Sequence, residues 1–424
     1  MLLISVINFS TIAIALYFAK YPKNYNFLHP KKMFIYFFLL VQVSGYFFAM
    51  LISVVDGEYK ISNASMINAS ILTLYGLIIF IISYYVLSQK HINYVVSKFI
   101  RIPEFNEKFF QRLFIVFLSI GVIGLSIYFM KNGFVFLKEG GYENRNESNL
   151  GMGYAKIMFE IGFRYALASF LLFRFTKMRF VLSLIATLIV GILVFLIIGG
   201  GRTGALSLFV TTILIALYYD KTQSRKKILL LGTTFFFIIT ILTVIRYKYE
   251  FSTDNIVLLL YQIQGSFSPI DSFSTIVEVM PKEFDFRADL MFNSFLTLVP
   301  RFIWVDKPIE ILVASVFFTN EILNYGSFVT ISPTLLGELY IYNGLFGITF
   351  GMMIVAFFIR LLSIVYLKSH RTAGMRLFIV FKLYIAFGLM RDGVSIFARD
   401  LFFSFGIFIF LVISIFILHR IVTK

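Results

Sequence analysis

There is no cysteine in the chain, and only one tryptophan, four histidines and eight prolines. The missing cysteines exclude a disulfide framework, a thiol nucleophile and a thiolate metal site. Charge is scarce as well: 14% of residues are charged and 59% hydrophobic, with a mean hydropathy of +0.88. Soluble domains are roughly 45–50% apolar, so this composition describes an integral membrane protein. A β-barrel would show short alternating segments; here the apolar residues lie in continuous blocks of about 17–25 residues, each long enough to cross as a helix.

These blocks predict an all-α polytopic protein with about 11 transmembrane helices, in a range of roughly 10–14. The expected spans are 2–19, 33–55, 66–88, 113–130, 156–173, 180–198, 204–219, 228–245, 336–359, 377–390 and 401–418. The first has no basic residue ahead of it and no small-residue cleavage site after it. It reads as a retained span rather than a signal peptide.

Lys and Arg are unevenly shared between the two sets of loops. One set, from Lys20 and Lys23 through Arg225, Lys226 and Lys227 to Arg420 and Lys424, holds 22 basic residues against three acidic ones, Glu104, Glu107 and Asp220. By the positive-inside bias this set is cytoplasmic, and the +16 net charge faces anionic headgroups rather than nucleic acid. The other set holds nearly all the acidic residues. It contains two segments too long for simple turns, 131–155 and 246–335, within a single transmembrane domain over 1–424. In the larger segment, short apolar runs at 254–263 and 289–300 follow helix-capping residues and predict helices lying on or dipping into the outer leaflet.

The stretch IIGGGRTGAL at 197–206 fails as a nucleotide-binding loop, since Ala205 follows Gly204 where Lys is required. Its glycine turn, the capping Thr203 and the guanidinium of Arg202 instead suit an anion at the outer surface. Arg202 snorkelling to headgroups is the plainer alternative. Glu338, entering a span behind Pro333 and Gly337, is costly in lipid and needs a cavity or a partner. Trp304, beside Arg301, Asp306 and Lys307, fits an interfacial anchor.

Three groups of residues together resemble the O-antigen polymerases of the Wzy type. They are Gly200, Gly201 and Arg202; then Pro300, Arg301, Trp304, Lys307 and Pro308; then Ser332, Pro333, Thr334, Gly337, Glu338, Asn343, Gly344 and Gly347. The resemblance covers nearly the whole chain. It departs from the family at Val305, where a proline commonly follows the tryptophan, which puts that local turn in question.

This resemblance implies a GT-C-like helical bundle in the bacterial inner membrane, active on the periplasmic side. It implies a glycosyltransferase that takes undecaprenyl-pyrophosphate-linked oligosaccharide as both donor and acceptor, with a chain-length regulator and membrane lipids as partners and with no metal or cofactor. The related ligases are expected to carry a functional histidine in the large outer loop, but His29, His91, His370 and His419 all fall on the inner side. A flippase for the same lipid would place its charges in a membrane-deep cavity. Here, apart from Glu338 at the outward end of a span, the charges named within spans are Glu160, Arg164 and Lys382, while polar residues gather in the outer loops.

Without a metal, a leaving pyrophosphate needs guanidinium groups and an attacking hydroxyl needs a carboxylate base. Arg202, Arg287 and Arg301, then Arg246 and Arg399, are the candidate pyrophosphate ligands. Glu338 and then Asp271 are the candidate bases, with pairing to the same arginines as their structural alternative. Trp304, Tyr142 and Tyr340, with Tyr342 beside them, are candidates for stacking on sugar faces. Asp285 and Asp289, four apart around Arg287, make a poor cation site.

Overall fold

The computed structural model describes residues 2–20, 28–57, 59–87, 107–138, 152–173, 176–199, 208–215, 253–299, 303–308, 311–325, 330–368 and 388–394, with isolated positions between 233 and 245 and between 397 and 414. Among them every regular element is a helix. Six helices are long and apolar enough to cross a membrane: Leu2–Lys20, Pro30–Asp56, Asn63–Val86, Lys108–Leu137, Met178–Ile197 and Thr334–Leu367. A helix also occupies Gly153–Phe173, where a span is expected, and it carries Lys156, Glu160 and Arg164. The expected span at 204–219 is described over 208–215, where it is helical, and those at 228–245, 377–390 and 401–418 lie largely outside the described residues.

The contacts divide into two compact units. The first comprises Met1–Arg101, Glu250–Lys368 and Ile385–Asp400. It opens with α1 (Leu2–Lys20) and α2 (Pro30–Phe38), then a π-helical turn at Leu39–Val43, α3 (Ser44–Asp56) and α4 (Asn63–Val86). His29 caps α2 by accepting the Lys31 N–H on its Nδ1, 3.3 Å away, and Pro30 sits at the first helical position, where its missing N–H costs nothing. Ser62 caps α4 through the Ser65 N–H. Aromatic packing joins these helices: Phe34 stacks on Phe80 at 4.0 Å, and Phe18 meets Phe80 and Tyr84 edge-on.

The second unit comprises Ile102–Tyr249, Ser369–Tyr384 and Leu401–Lys424. Its described helices include α5 (Glu107–Asn132), α6 (Gly153–Phe173) and α7 (Lys177–Ile197). Gly121, Gly124 and Gly162 let the backbones of α5 and α6 touch, the usual way helices gain contact where lipid supplies no hydrophobic drive. Phe117 against Tyr165 and Tyr128 against Phe159 fill the seam on either side. Thr187 of α7 bonds Thr212 of the helical stretch 208–215 at 2.9 Å.

Returning to the first unit, the described part of the segment expected as a large outer loop contains several helices. It forms α8 (Thr253–Phe267), α9 (Ile270–Val279), α10 (Asp289–Leu296) and the short α11 (Ala314–Phe317). The helix expected at 254–263 is present, and the one expected at 289–300 is present over Asp289–Leu296; α9 has no counterpart among the expected helices. Ser268, between α8 and α9, packs on Gly45 of α3, whose missing side chain makes room for it, and accepts the Gly45 N–H at 2.8 Å. Gly45 lies about 16 Å of helix before the end of α3 at Asp56, so this junction reaches well down the length of the span.

The last long element, α12 (Thr334–Lys368), is not one rod. Asn343 and Gly344 are non-helical, with Gly344 at φ 54°, in the left-handed region that favours glycine. A Cβ on Gly347 would strike the Leu339 carbonyl oxygen, and one on Gly351 the Leu339 side chain. In an unbroken helix those residues would be about 12 and 18 Å apart along the axis. The leg 334–342 therefore folds back on the leg 345–368. The uninterrupted span expected at 336–359 is corrected accordingly: an Asn-Gly pair inside an apolar run breaks it. The Arg287 N–H donates to the Ile341 carbonyl at 2.9 Å and caps the first leg, while the Phe286 ring covers Gly344.

Candidate functional site

Several polar side chains of the first unit meet around the irregular backbone just described. Three features make the surface: the π-helical turn in α2–α3, the junction of α8 and α9, and the break in α12. A π turn frees backbone groups from the helical ladder. Here Val41 lends its carbonyl to the Ser268 hydroxyl, and Gln42 Nε2 donates to the Met390 carbonyl at 3.1 Å.

One cluster is built on Asp271, in the first turn of α9, where the positive end of the helix dipole favours a carboxylate. Its Oδ1 accepts from the Tyr59 hydroxyl and from Gln264 Nε2 at 3.2 Å, and its Oδ2 pairs with Lys60 Nζ at 2.7 Å. Gln264 Nε2 also points at the Tyr59 oxygen, 2.7 Å away, and at the Gly45 carbonyl, 3.3 Å away. Tyr59 stacks on Tyr261 at 5.6 Å, and Lys60 Nζ lies 4.7 Å from the Tyr261 ring centre. Desolvation, then the adjacent Asp271 charge, push the Tyr59 phenol far above its ordinary pKa, so it stays a donor to the carboxylate. The Asp271 side chain keeps 22% of its surface open.

A second cluster is built on Glu338, in the first leg of α12. Thr334 caps this leg by accepting the Gly337 N–H at 3.3 Å, and Gly337 lets Phe273 and Ile276 of α9 approach. Glu338 is wholly enclosed, at 0% exposure. Its Oε1 accepts from the Tyr342 hydroxyl, which lies 3.3 Å from the Ser294 hydroxyl of α10, and its Oε2 accepts the backbone N–H of Val394. The neighbouring Gly393 has φ 88°, and a Cβ there would run into the Glu338 carboxylate. Arg391 and Asp392 form an ion pair on the same helical turn, with side chains 25% and 19% exposed. The Ser332 hydroxyl donates to the Arg391 carbonyl.

At the edge of this surface Arg287 grips Asp289 with a two-pronged bond, at 2.9 and 2.8 Å, and lies 5.4 Å from the Phe317 ring centre. The hydrogen-bonded guanidinium holds the Asp289 carboxyl below the usual range. Lys307 donates to the carbonyls of Thr297 and Val299 at 2.8 and 2.9 Å and so closes the end of α10. The turn around Trp304 forms without the usual proline, since the Lys307 N–H reaches the Trp304 carbonyl at 3.2 Å.

A family model described as "WzyE protein, O-antigen assembly polymerase" matches residues 2–424. The chain belongs to this family. No solved structure matches the WzyE-family chain.

Of the site residues nominated from the WzyE-family sequence, Glu338, Asp271, Arg287, Trp304 and Tyr340 lie in the first unit. Arg202, Arg246, Arg301, Arg399 and Tyr142 lie outside the described residues. The structure ties Asp271 and Glu338 into one surface: Gln264 bonds Gly45 in the first turn of α3, Gln42 of the π turn just before it bonds Met390, and Met390 leads to the peptide that Glu338 holds. Tyr340 is half-buried, edge-on to Phe286 at 5.8 Å. Tyr342, expected among the stacking aromatics, is buried and serves the Glu338 carboxylate instead.

Gln42, Tyr59, Lys60, Gln264 and Arg391 were not singled out from the sequence. For Arg391 a signal existed, an arginine two places before a glycine in an outer-set loop, as in Arg202 and Gly204. Gln42 and Gln264 are ordinary polar residues until the fold brings their partners to them.

Proposed function

We propose that this WzyE-family chain polymerises undecaprenyl-pyrophosphate-linked oligosaccharide repeat units at the periplasmic face of a bacterial inner membrane. The growing glycan leaves its own carrier and joins the non-reducing end of the incoming unit. The bond from the anomeric carbon to pyrophosphate breaks, a bond from that carbon to the acceptor oxygen forms, and the acceptor proton passes to a carboxylate. The charge left on pyrophosphate is met by arginines, with Arg202, Arg287, Arg301, Arg246 and Arg399 as candidates. A chain-length regulator is the expected protein partner.

The observation that carries the choice of base is the contrast between the two carboxylates. A base has to come within about 3 Å of the hydroxyl it deprotonates. Both carboxylates have each oxygen engaged, Asp271 by Tyr59, Gln264 and Lys60 and Glu338 by Tyr342 and Val394, but Asp271 keeps 22% of its side chain open whereas Glu338 is wholly enclosed. The order reached from sequence, Glu338 before Asp271, is therefore reversed here. The distribution of Lys and Arg places Lys60, Asp271, Arg287 and Arg391 in the same, outer set of loops, which supports a single reaction face.

The test is deletion of the gene followed by complementation, with surface polysaccharide resolved by length. The deletion strain should carry single capped repeat units, the wild-type gene should restore the ladder, and Asp271→Asn should not. A full ladder from Asp271→Asn would remove Asp271 as base. Loss of all surface glycan on deletion, single units included, would point to a ligase or a flippase.

A further inference from the structure

Side chains from the π turn, from the residues just ahead of α12 and from the first leg of α12 converge on one short stretch of backbone. Gln42, on the π turn of α2–α3, donates to the Met390 carbonyl at 3.1 Å. Ser332, just ahead of α12, donates to the Arg391 carbonyl. Glu338, on the first leg of α12, accepts the Val394 N–H. Gly393 lies between these anchors in a backbone conformation open chiefly to glycine, with the Glu338 carboxylate filling the space a side chain would need. Hydrogen bonds at three of five successive residues make this turn a rigid mount.

What the mount carries is the half-buried guanidinium of Arg391, beside Asp392. A guanidinium presents a planar fork of donors that matches two phosphate oxygens at once, and a neighbouring carboxylate holds that fork in place until a stronger anion arrives. We propose that Arg391 binds the diphosphate of the lipid carrier and that Glu338 is a positioning residue, holding Arg391 through the Val394 peptide. This inference rests on the reading that the substrate is a lipid-linked diphosphate. It assigns Glu338 a task that its enclosure permits. The task needs hydrogen-bond acceptors rather than a proton sink: a glutamine oxygen can accept from Val394, and its amide can donate to Tyr342, whose hydroxyl reverses its role.

The test uses the purified full-length protein in detergent, with undecaprenyl pyrophosphate as the probe and undecaprenyl phosphate as its comparison. R391A, E338A and G393A should each weaken binding of the pyrophosphate by about tenfold or more, with a smaller loss for the monophosphate. In turnover assays the same three variants should raise the apparent KM for the lipid-linked unit by a similar factor. The conservative variant E338Q should rescue both binding and turnover to within about threefold of wild type, the range of a hydrogen bond altered but not lost. G393A added to R391A should weaken binding no further than R391A alone.

Wild-type affinity in R391A would overturn the proposal. So would an E338Q protein that binds pyrophosphate normally but does not turn over, since Glu338 would then be acting on a proton. Failure of the wild-type gene to restore polymer in the deletion strain would sink the parent reading instead, and the pyrophosphate affinities would still judge the mount.

Discussion

The Glu338 carboxylate accepts the backbone N–H of Val394, a residue 56 positions further along the chain. That bond joins the first leg of α12 to the turn that bears Arg391, and the Tyr342 hydroxyl completes the shell. Removing the carboxylate leaves a part-buried N–H and a buried hydroxyl without it. Glu338→Ala should therefore lower stability by about 1–3 kcal/mol, while Glu338→Gln should stay within about 1 kcal/mol of wild type. Thermal unfolding in detergent decides this, and equal midpoints for all three proteins would contradict it.

His29 should make stability depend on pH. It is fully buried, and Nδ1 accepts the Lys31 N–H, so the neutral ring is the form that fits. Burial, with Lys31, Lys32 and Arg360 nearby, lowers its pKa from 6.5 to about 3. The unfolded chain then binds the proton more readily, so the stabilising effect is complete above pH 6.5 and is lost on acidification through that value towards 3. The loss is on the order of a few kcal/mol. His29→Asn keeps a capping oxygen and titrates nothing, so its melting temperature should change less between pH 7 and pH 5. Parallel curves for the two proteins would rule out His29 as the source.

Gly344 permits the fold-back of α12. Gly344→Ala puts a Cβ into the Phe286 ring, whose nearest atom would be 2.8 Å away, and forces the left-handed region on a residue that resists it. The backbone term alone is about 1–2 kcal/mol. The variant should unfold at lower temperature and also lose polymer, because the break positions the leg that bears Glu338. Normal ladders from a destabilised variant would separate the break from function.

The pair Arg287 and Asp289 should matter little for stability. Both side chains are substantially exposed, at 35% and 53%, and such pairs contribute about 1 kcal/mol or less. The lowered Asp289 pKa sets the sign: the contribution is present above the ordinary value of 3.8 and fades as pH falls through the lower, folded-state value. Asp289→Asn should shift the unfolding midpoint only slightly, and less still in high salt. A guanidinium released in this way should, if Arg287 serves the diphosphate, leave turnover at least as fast as wild type. A severe loss of turnover would assign the carboxylate a role of its own.

The membrane class and several spans were legible because burial in lipid demands long apolar blocks, and Leu2–Lys20, Asn63–Val86 and Lys177–Ile197 lie within a few residues of their expected limits. The fold-back was written in Asn343 and Gly344, a turn-forming pair set inside an otherwise continuous run. Average hydropathy passes over two residues, so the pair read as part of one span. The site was legible where a residue is costly by itself: an acid in an apolar run, as Glu338 is, invites a question that Gln42 does not. The turn that bears Arg391 is placed by bonds from residues 42, 332 and 338 to Met390, Arg391 and Val394, and no local pattern contains them.

The most direct test of the account is stoichiometric. Purified protein, reconstituted into liposomes with undecaprenyl-pyrophosphate-linked repeat units and no other protein, should release one free undecaprenyl pyrophosphate for each new glycosidic bond, with the glycan lengthening in step. Lengthening without carrier release, carrier release without lengthening, or movement of the lipid across the bilayer with neither, would contradict it.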